Sequence, residues 1–155
     1  MDKVRWGFIG AGMIAKKALW PALLNSNVGE IYAVAARDEA RAKALSPSGR
    51  IYTNYDDLLA DPNVEAIYIS LPNSLHMPWS IRALEAGKHV LCEKPLAMNA
   101  AEVRQGIEVQ RQTGKLFMEA SWNRWHPRTI RLNEIVKSGA IGEVNEIRTA
   151  FTYDG

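Results

Sequence analysis

Two kinds of apolar segment alternate along most of the chain. Short runs rich in valine, isoleucine and alanine have the composition of strands, and the segments between them have helical spacing. The predicted strands are 4–9, 30–36, 51–52, 65–70, 89–92 and 116–120. The predicted helices are 13–25, 38–45, 55–60 and 76–86, and the first of them should have a kink or an early end at Pro21. A fifth helix begins with a capping box formed by Asn99 and Glu102 and ends near Gly114. This alternation predicts an α/β fold in which helices cover both faces of a doubly wound parallel sheet.

The pattern changes after residue 121. A short helix is predicted over 127–138, and residues 143–153 alternate like a half-exposed strand. One face of that strand would carry three apolar side chains, those of Ile147, Phe151 and Tyr153. No later strand follows for it to pair with, so we predict a first domain over 1–121 and the beginning of a truncated second domain over 122–155.

Composition and charge exclude several classes of protein. With 47% hydrophobic and 23% charged residues the chain has ordinary globular usage. A net charge of +2 without a dense basic block is too small for a protein whose main partner is a nucleic acid. The chain has a single cysteine, Cys92, which excludes an intrachain disulfide and is predicted to be a buried, unreactive thiol. No spacing of ligating side chains suggests a metal site. No apolar run is long enough to span a bilayer, and we expect a cytoplasmic protein.

A glycine-rich turn stands between the first strand and the first helix. Its sequence is Gly10-Ala11-Gly12-Met13-Ile14-Ala15, a G-x-G-x-x-A motif. In such a motif the first glycine permits a tight turn, the second lets the backbone approach a pyrophosphate, and the alanine allows close helix–strand packing. The free N–H groups at the start of the helix favour phosphate. The motif and its context predict a dinucleotide site of the Rossmann type, formed by residues 10–14.

The end of the second strand bears on the choice of dinucleotide. An acidic residue there would bind the ribose 2′-hydroxyl of NAD, but Ala36 occupies the position and Arg37 follows it. A small residue beside an arginine leaves room and positive charge for a 2′-phosphate. We therefore expect NADP, with NAD as a possible cofactor. The alternative is that Arg37 is a solvated loop charge and that Asp38 only caps the next helix.

The fifth strand ends in Glu93-Lys94-Pro95. Because ligands bind outside the carboxyl ends of the strands in open parallel sheets, Lys94 is expected to face the cofactor cleft. There a lysine can polarise a reacting hydroxyl or carbonyl or take its proton. By spacing alone, the alternative is a surface lysine paired with Glu93.

These motifs together resemble the glucose–fructose oxidoreductase/inositol dehydrogenase (Gfo/Idh/MocA) family. The matching segments are Gly10-x-Gly12-x-x-Ala15, Pro72-Asn73-Ser74-Leu75-His76 and the highly specific run EAGKHVLCEKPL over 85–96. Further matches are typical of the branch that contains dihydrodiol and xylose dehydrogenases: Met118-Glu119-Ala120, Arg124-Trp125-His126-Pro127 and Ile141-Gly142-Glu143-Val144. The resemblance covers nearly the whole chain.

The resemblance implies an NAD(P)-dependent oxidoreductase that acts on a sugar, a polyol or a dihydrodiol. Lys94 corresponds to the catalytic lysine of the family and also lies at the cofactor. Leu71, Pro72 and Asn73 would line the dinucleotide, and Glu93 would flank the nicotinamide. His76, at the start of a helix, is either a cofactor contact or a capping or packing residue.

One departure from the family limits this interpretation. Members are roughly twice as long and have a second domain with an Asp-x-x-x-His helix whose histidine assists proton transfer, and none of the three histidines here stands in that motif. We therefore expect a catalytically incomplete chain, with an isolated dinucleotide-binding module as the alternative function. Trp122, Trp125 and His126 either line the substrate side of the cleft or form an apolar patch that the missing domain would cover. Related enzymes oligomerise through the second-domain sheet, so we expect a homo-oligomer paired through the C-terminal strand.

Overall fold

The computed structural model describes residues 2–152, which contain six strands and six α-helices. The strands are β1 (Val4–Ile9), β2 (Gly29–Ala35), β3 (Arg50–Tyr52), β4 (Ala66–Ile69), β5 (His89–Cys92) and β6 (Phe117–Glu119). The helices are α1 (Trp20–Leu24), α2 (Glu39–Lys43), α3 (Tyr55–Ala60), α4 (His76–Glu85), α5 (Ala100–Thr113) and α6 (Pro127–Lys137). Short 3₁₀ turns lie at Asn73–Leu75 and Trp122–Trp125.

The six strands form one parallel sheet in the order β3-β2-β1-β4-β5-β6. The chain order reverses between β1 and β4, so the loops that follow these two strands diverge and leave a crevice at their carboxyl ends. This order confirms the predicted doubly wound parallel sheet of the Rossmann type.

Alternate side chains of the strands pack into separate clusters on the two faces of the sheet. One face carries Ile9, Ile69 and Cys92, which pack with residues of α3 and α4. The other face carries Phe8 and Tyr68, which pack with residues of α2 and of the helix after β1. Both faces are thus covered, which explains why the central strand β4 is continuously apolar and buried.

The strands end in a common row. The register places Ala35, Ile9, Ile69, Cys92 and Glu119 side by side across β2, β1, β4, β5 and β6. Each following loop therefore starts from the same edge, and side chains distant in sequence meet there.

The helix after β1 is less regular than predicted. Residues 13–24 are helical throughout, but Ala15–Leu19 form a π-helical turn in which the N–H of Trp20 donates to the carbonyl of Ala15. Pro21 lies in the first turn of α1. Proline has no N–H to donate to the preceding turn, and this missing hydrogen bond accounts for the irregular turn. The distortion predicted at Pro21 is therefore present, and it lies on the N-terminal side of that residue.

The predicted cap of α5 is present, but the Glu102 carboxylate does not return to the backbone N–H of Asn99 as a capping box would have it. The side chain of Asn99 accepts a hydrogen bond from the N–H of Glu102 at 3.0 Å, as expected. The Glu102 carboxylate returns to the N–H of Met98 at 3.0 Å and to the Asn99 side-chain amide at 2.9 Å. Gly114 ends the helix with a φ of 65°.

The chain divides into two compact units, 1–120 and 121–155, next to the predicted domain boundary. The second unit contains α6, where the His126 side chain accepts from the N–H of Arg128. The strand predicted over 143–153 is wrong for the described part of that range, because residues 143–152 have no strand structure and Tyr153 lies outside the described residues. A strand needs a neighbouring backbone for its hydrogen bonds, and the alternation of side chains cannot supply one. Within residues 2–152, no helix has the length and apolar character needed to cross a membrane.

Candidate functional site

The loops that leave the carboxyl edge of the sheet begin side by side. The N–H of Gly10 donates to the carbonyl of Ala35 at 2.9 Å, and the N–H of Ser70 donates to that of Ile9 at 3.0 Å. The N–H of Glu93 likewise bonds the end of β4, at 2.9 Å. The loops after β1, β4 and β5 are therefore held in fixed register by the sheet itself.

A cleft of about 520 Å³ opens above this edge. Its lining residues come from the loops after β1, β2 and β4 and from the starts of the helices that follow β2 and β3: Gly10, Ala11, Gly12, Ala36, Arg37, Asp38, Arg41, Tyr55, Ser70, Leu71 and Pro72. The cleft lies at the crevice where open α/β sheets bind ligands.

Gly10 and Gly12 are glycines for different structural reasons. Gly10 has a φ of 96°, and a Cβ on it would lie 2.8 Å from the carbonyl oxygen of Ser70, so the turn itself requires glycine. A Cβ on Gly12 would meet only that same oxygen, at 3.8 Å, which is an ordinary contact. The fold therefore tolerates a side chain at Gly12, and the missing Cβ leaves its backbone open to the cleft.

Three further motif positions differ in what they can offer a ligand. Ala11 lines the cleft. Met13 and Ile14 are 72% and 43% exposed and lie in the first turn of the helix. These two residues would bind a phosphate through their backbone N–H groups, because the first N–H groups of a helix have no acceptor within the helix.

The loop after β2 and helix α2 each contribute one arginine to the lining of the cleft. Ala36 is buried at the strand end, and Arg37 and Arg41 both line the cleft. Asp38 caps α2 by accepting from the Arg41 N–H at 3.2 Å, and its other oxygen lies 3.2 Å from Nε of Arg41. The Asp38 carboxylate is thus engaged by its own helix, as the alternative interpretation of this residue expected.

The loop after β4 contributes Leu71 and Pro72 to the cleft wall, whereas Asn73 is an exposed residue that begins a 3₁₀ turn. His76 is 1% exposed and lies behind this wall. Its Nε2 atom is 2.8 Å from the carbonyl oxygen of Leu71, and its Nδ1 atom is 2.7 Å from that of Pro95. His76 therefore ties the loop after β4 to the loop after β5.

The two His76 contacts set a chemical requirement. A carbonyl oxygen only accepts hydrogen bonds, and a neutral imidazole has a single N–H. Both contacts are hydrogen bonds at the same time only when both ring nitrogens carry a proton. Whichever ring nitrogens carry a proton, the imidazole lies between the loop after β4 and the loop after β5 and fixes the distance between these two loops.

The loop that carries Lys94 is fixed on both sides of that residue. The hydroxyl of Tyr68 donates to Oε1 of Glu93 at 2.7 Å, and the N–H of Leu96 donates to Oε1 of Glu119 at 2.8 Å. Burial raises the pKa of Tyr68, and the neighbouring Glu93 carboxylate raises it further, so the hydroxyl stays a donor. Lys94 is exposed between these anchors and contacts Glu93 through its backbone N–H, at 3.2 Å.

Some cleft residues escaped the sequence analysis. Ser70 directly follows β4, and the strand order places it beside Gly10, so topology could have identified it. Arg41 lies one helical turn after Arg37, a spacing that the sequence does show. Tyr55 follows β3 and carries no sequence signal that distinguishes it from a packing tyrosine.

Other candidate groups lie outside the cleft. Burial raises the pKa of the Cys92 thiol to about 12, which keeps it protonated and unreactive as expected. Within the part of the chain that the structure describes, no group of three or more ligating side chains could hold a metal ion. In the second unit, Trp122 and Trp125 are exposed, and the rings of Trp122 and His126 lie 6.0 Å apart.

Comparisons with known proteins match nearly the whole chain. The family model described as "Oxidoreductase family, NAD-binding Rossmann fold" matches residues 4–121. The chain is 48% identical to an uncharacterized oxidoreductase of Rhizobium meliloti, over 98% of this chain and 46% of that protein. It is 40% identical to trans-1,2-dihydrobenzene-1,2-diol dehydrogenase of Mus musculus, over 97% of this chain and 46% of that protein.

A solved structure extends this similarity to three dimensions. The 3-ketoreductase from Actinomadura kijaniata, crystallised with NADP and TDP-benzene, matches with a TM-score of 0.84 and 37% identity. The match covers 92% of this chain and 44% of that one. The chain thus spans about half the length of the relatives it matches.

Proposed function

Because this chain belongs to the Gfo/Idh/MocA oxidoreductase family and contains its NAD-binding Rossmann fold, we propose that it is the NADP-binding part of a sugar, polyol or dihydrodiol oxidoreductase. Such an enzyme transfers hydride between the nicotinamide and a carbon that bears a hydroxyl or carbonyl group. One observation carries the proposal: a single cleft has the motif glycines at its centre and two arginines beside a small residue at the end of β2.

The residues of the cleft fit a phosphorylated dinucleotide. Gly12 leaves its backbone open at the start of a helix, where a pyrophosphate gains hydrogen bonds from backbone N–H groups. Arg37 and Arg41 supply the positive charge that a 2′-phosphate needs, and Ala36 leaves space for it. The volume of about 520 Å³ lies in the range of small-molecule sites.

The preference for NADP is supported by charge rather than by fold. An NAD-selective site has a carboxylate at the end of β2, free to bind the 2′-hydroxyl. In this chain the nearest carboxylate, that of Asp38, is held by the N–H and the Nε of Arg41. The solved 3-ketoreductase, whose crystals contain NADP, supports the same choice.

Lys94 is the proposed catalytic group. Bound NADP supplies the hydride acceptor, and the chain must supply a group that holds or takes the proton of the substrate hydroxyl. Lys94 is exposed at the carboxyl end of β5, on a loop anchored through Glu93, Pro95 and Leu96. These anchors fix the backbone on both sides of Lys94, whose residue is exposed.

The substrate class is proposed from the relatives. The Mus musculus relative is named for a dihydrodiol, and the Actinomadura kijaniata relative is a ketoreductase. Both names describe oxidation or reduction at a carbon that carries a hydroxyl or carbonyl group, which fits the proposed role of Lys94.

A second function is an isolated dinucleotide-binding module without turnover. The observation in its favour is that the residues lining the cleft, Gly10 to Gly12, Ala36 to Asp38, Arg41, Tyr55 and Ser70 to Pro72, do not include Lys94. In both cases the cofactor binds, and the two functions differ in whether substrate is converted.

We also propose that the chain associates with a second copy through residues 143–153. In one chain, residues 143–152 have no strand structure, and a second backbone would provide the hydrogen-bonding partners that a strand over this segment needs.

Titration with NADPH, followed by the fluorescence of the nicotinamide, tests the proposed cofactor site. We expect saturable binding that is strongly weakened in Gly12→Ala, because the new methyl occupies the space of the pyrophosphate while its contact with Ser70 remains ordinary. Ala22→Val, on the exposed side of α1, is the control and should bind normally. Normal binding by Gly12→Ala would contradict the proposed site.

A further inference from the structure

The two ends of the cleft can be assigned to the two halves of a dinucleotide. Lys94 follows β5 on one side of β1, and Arg37 follows β2 on the other side. If Lys94 serves the nicotinamide, the adenosine half lies toward Arg37, over β2 and β3. Tyr55 begins α3 directly after β3 and lines the cleft at this end.

The orientation of the Tyr55 ring is fixed by neighbours from α4. Its ring centre lies 4.9 Å from that of Trp79, at an interplanar angle of 86°. The guanidinium of Arg82 lies 4.4 Å from the Trp79 ring centre and also forms an ion pair with Asp56. We call Tyr55, Trp79, Arg82 and Asp56 the aromatic brace.

The aromatic brace joins α3 to α4 at the side of the cleft. Asp56 and Tyr55 are consecutive residues of α3, so the ion pair and the ring contact hold the same helical turn at two points. Tyr55 also packs, with Leu71, against one face of the core. The ring is thus a rigid part of the cleft wall.

We propose that Tyr55, held by the aromatic brace, is the wall against which the adenine base of the cofactor packs. This inference rests on the proposed dinucleotide function and adds a binding residue to it. An adenine ring is flat and apolar on its faces, and aromatic side chains bind bases by stacking or edge contact. Tyr55 is the aromatic residue among those that line the cleft, and the lining also includes the aliphatic Leu71.

The charged residues at this end have a different task. Arg37 and Arg41 are suited to a 2′-phosphate, which lies on the ribose and outside the plane of the base. An arrangement with guanidinium groups on the phosphate and a fixed aromatic ring on the base explains why Tyr55 is braced, since packing against the core alone does not need the Asp56–Arg82 ion pair.

Binding of adenosine 2′,5′-bisphosphate, measured by calorimetry, separates this role from the rest of the site. The probe contains the adenine and the 2′-phosphate and lacks the nicotinamide. We expect Tyr55→Leu to weaken it on the order of ten-fold and Tyr55→Phe to bind as the parent chain does. Tyr32→Leu is the matched control, because Tyr32 is a half-buried tyrosine that packs against the same core face without lining the cleft.

A second measurement does not depend on the stability of Tyr55→Leu. Nuclear Overhauser effects between the adenine H2 and H8 protons and the ring protons of Tyr55 are expected in the parent chain, with the ring signals assigned by comparison with Tyr55→Phe. Absence of these effects in the bound state would overturn the inference, as would equal losses in Tyr55→Leu and Tyr32→Leu. A parent chain that binds neither NADPH nor the bisphosphate would instead overturn the proposed function.

Discussion

One imidazole connects the two loops that matter most for the proposed site. Nδ1 of His76 lies 2.7 Å from the carbonyl oxygen of Pro95, next to Lys94, and Nε2 lies 2.8 Å from that of Leu71 in the cleft wall. The position of the lysine loop relative to the cofactor cleft thus depends on a residue that is 1% exposed. His76 is a positioning residue in this arrangement, behind the cleft rather than in it.

Replacement of His76 by phenylalanine should therefore lower both stability and cofactor affinity. The variant loses the hydrogen bond that the ring donates to a carbonyl group of these two loops, and one such bond contributes about 1 kcal/mol. We expect a free energy of unfolding lower by about 1 kcal/mol or more, measured by urea denaturation, and weaker NADPH binding in conditions where the variant is still folded. His89→Phe, whose side chain accepts from the N–H of Leu116 away from the cleft, should leave NADPH binding unchanged. Parent-like affinity in His76→Phe would contradict the positioning role.

Arg37 and Arg41 should determine the preference for NADPH over NADH. A charge-assisted contact with phosphate contributes about 1.5–3 kcal/mol, so removal of Arg37 should weaken NADPH binding about ten- to hundred-fold. NADH binding should change little, because NADH has no 2′-phosphate. Fluorescence titration of both cofactors with Arg37→Ala and Arg41→Ala measures the ratio.

The control for this pair is Arg104→Ala, which removes the same charge from the exposed side of α5. It should leave both affinities at parent values. Equal affinities of the parent chain for the two cofactors, or an unchanged ratio in Arg37→Ala, would refute the NADP preference.

The parts of the fold that the sequence predicted well are those that local rules determine. A glycine with a φ of 96° between a strand and a helix, as at Gly10, leaves a signal in the sequence itself. The same holds for the cap at Asn99, whose side chain bonds an N–H three residues away. The doubly wound parallel sheet followed from the alternation of strands and helices, because βαβ crossovers have one hand.

The features that escaped prediction depend on contacts between distant residues. His76 and Pro95 are 19 positions apart, and the partnership of Tyr55 with Trp79 joins two helices. For the segment 143–153 the alternation of side chains predicted a strand that is absent. Residues 143–152 have no strand structure. Periodicity describes which faces are apolar, and pairing depends on a neighbour that periodicity does not reveal.

Asp61 should make the stability of the first unit depend on acid pH. Burial raises the pKa of this carboxyl, but hydrogen bonds from the N–H of Asn63 at 2.9 Å and the hydroxyl of Tyr52 at 2.8 Å outweigh it, and the pKa lies below its ordinary value of 3.8. A lowered pKa in the folded state stabilises the protein above the unfolded value, and that stabilisation is lost as the pH falls through the folded value.

Asp61→Asn should accordingly be less stable than the parent chain at pH 7, and the difference should shrink as the pH falls below about 3.8. Urea denaturation at a series of pH values measures this difference. Asp57→Asn, a change at an exposed position of α3, is the control. A stability difference that stays constant from pH 7 to the acid range would contradict the assignment.

Turnover by this chain alone should be negligible although cofactor binding persists. Positioning of two reactants contributes roughly 7–11 kcal/mol in favourable cases, and the chain spans 46% of relatives whose full length includes further structure. Assays with NADP and a panel of aldoses and diols measure the rate, with Lys94→Ala as the variant that removes the proposed catalytic group. Ordinary turnover that Lys94→Ala abolishes would show that the chain contains a complete site.

Association of the chain should depend on the second unit. Residues 143–152 include Ile147, which is 76% exposed, and a segment with exposed apolar side chains can pair with another chain. We expect light scattering to give a dimer for the full chain and a monomer for a chain that ends at Ala120, where the first compact unit ends. Ile147→Lys should reduce dimerisation without affecting NADPH binding, whereas the matched change Leu116→Lys, at a 70% exposed position of the first unit, should leave the dimer intact. A monomeric full chain, with solubility unchanged by the truncation, would rule out pairing through this segment.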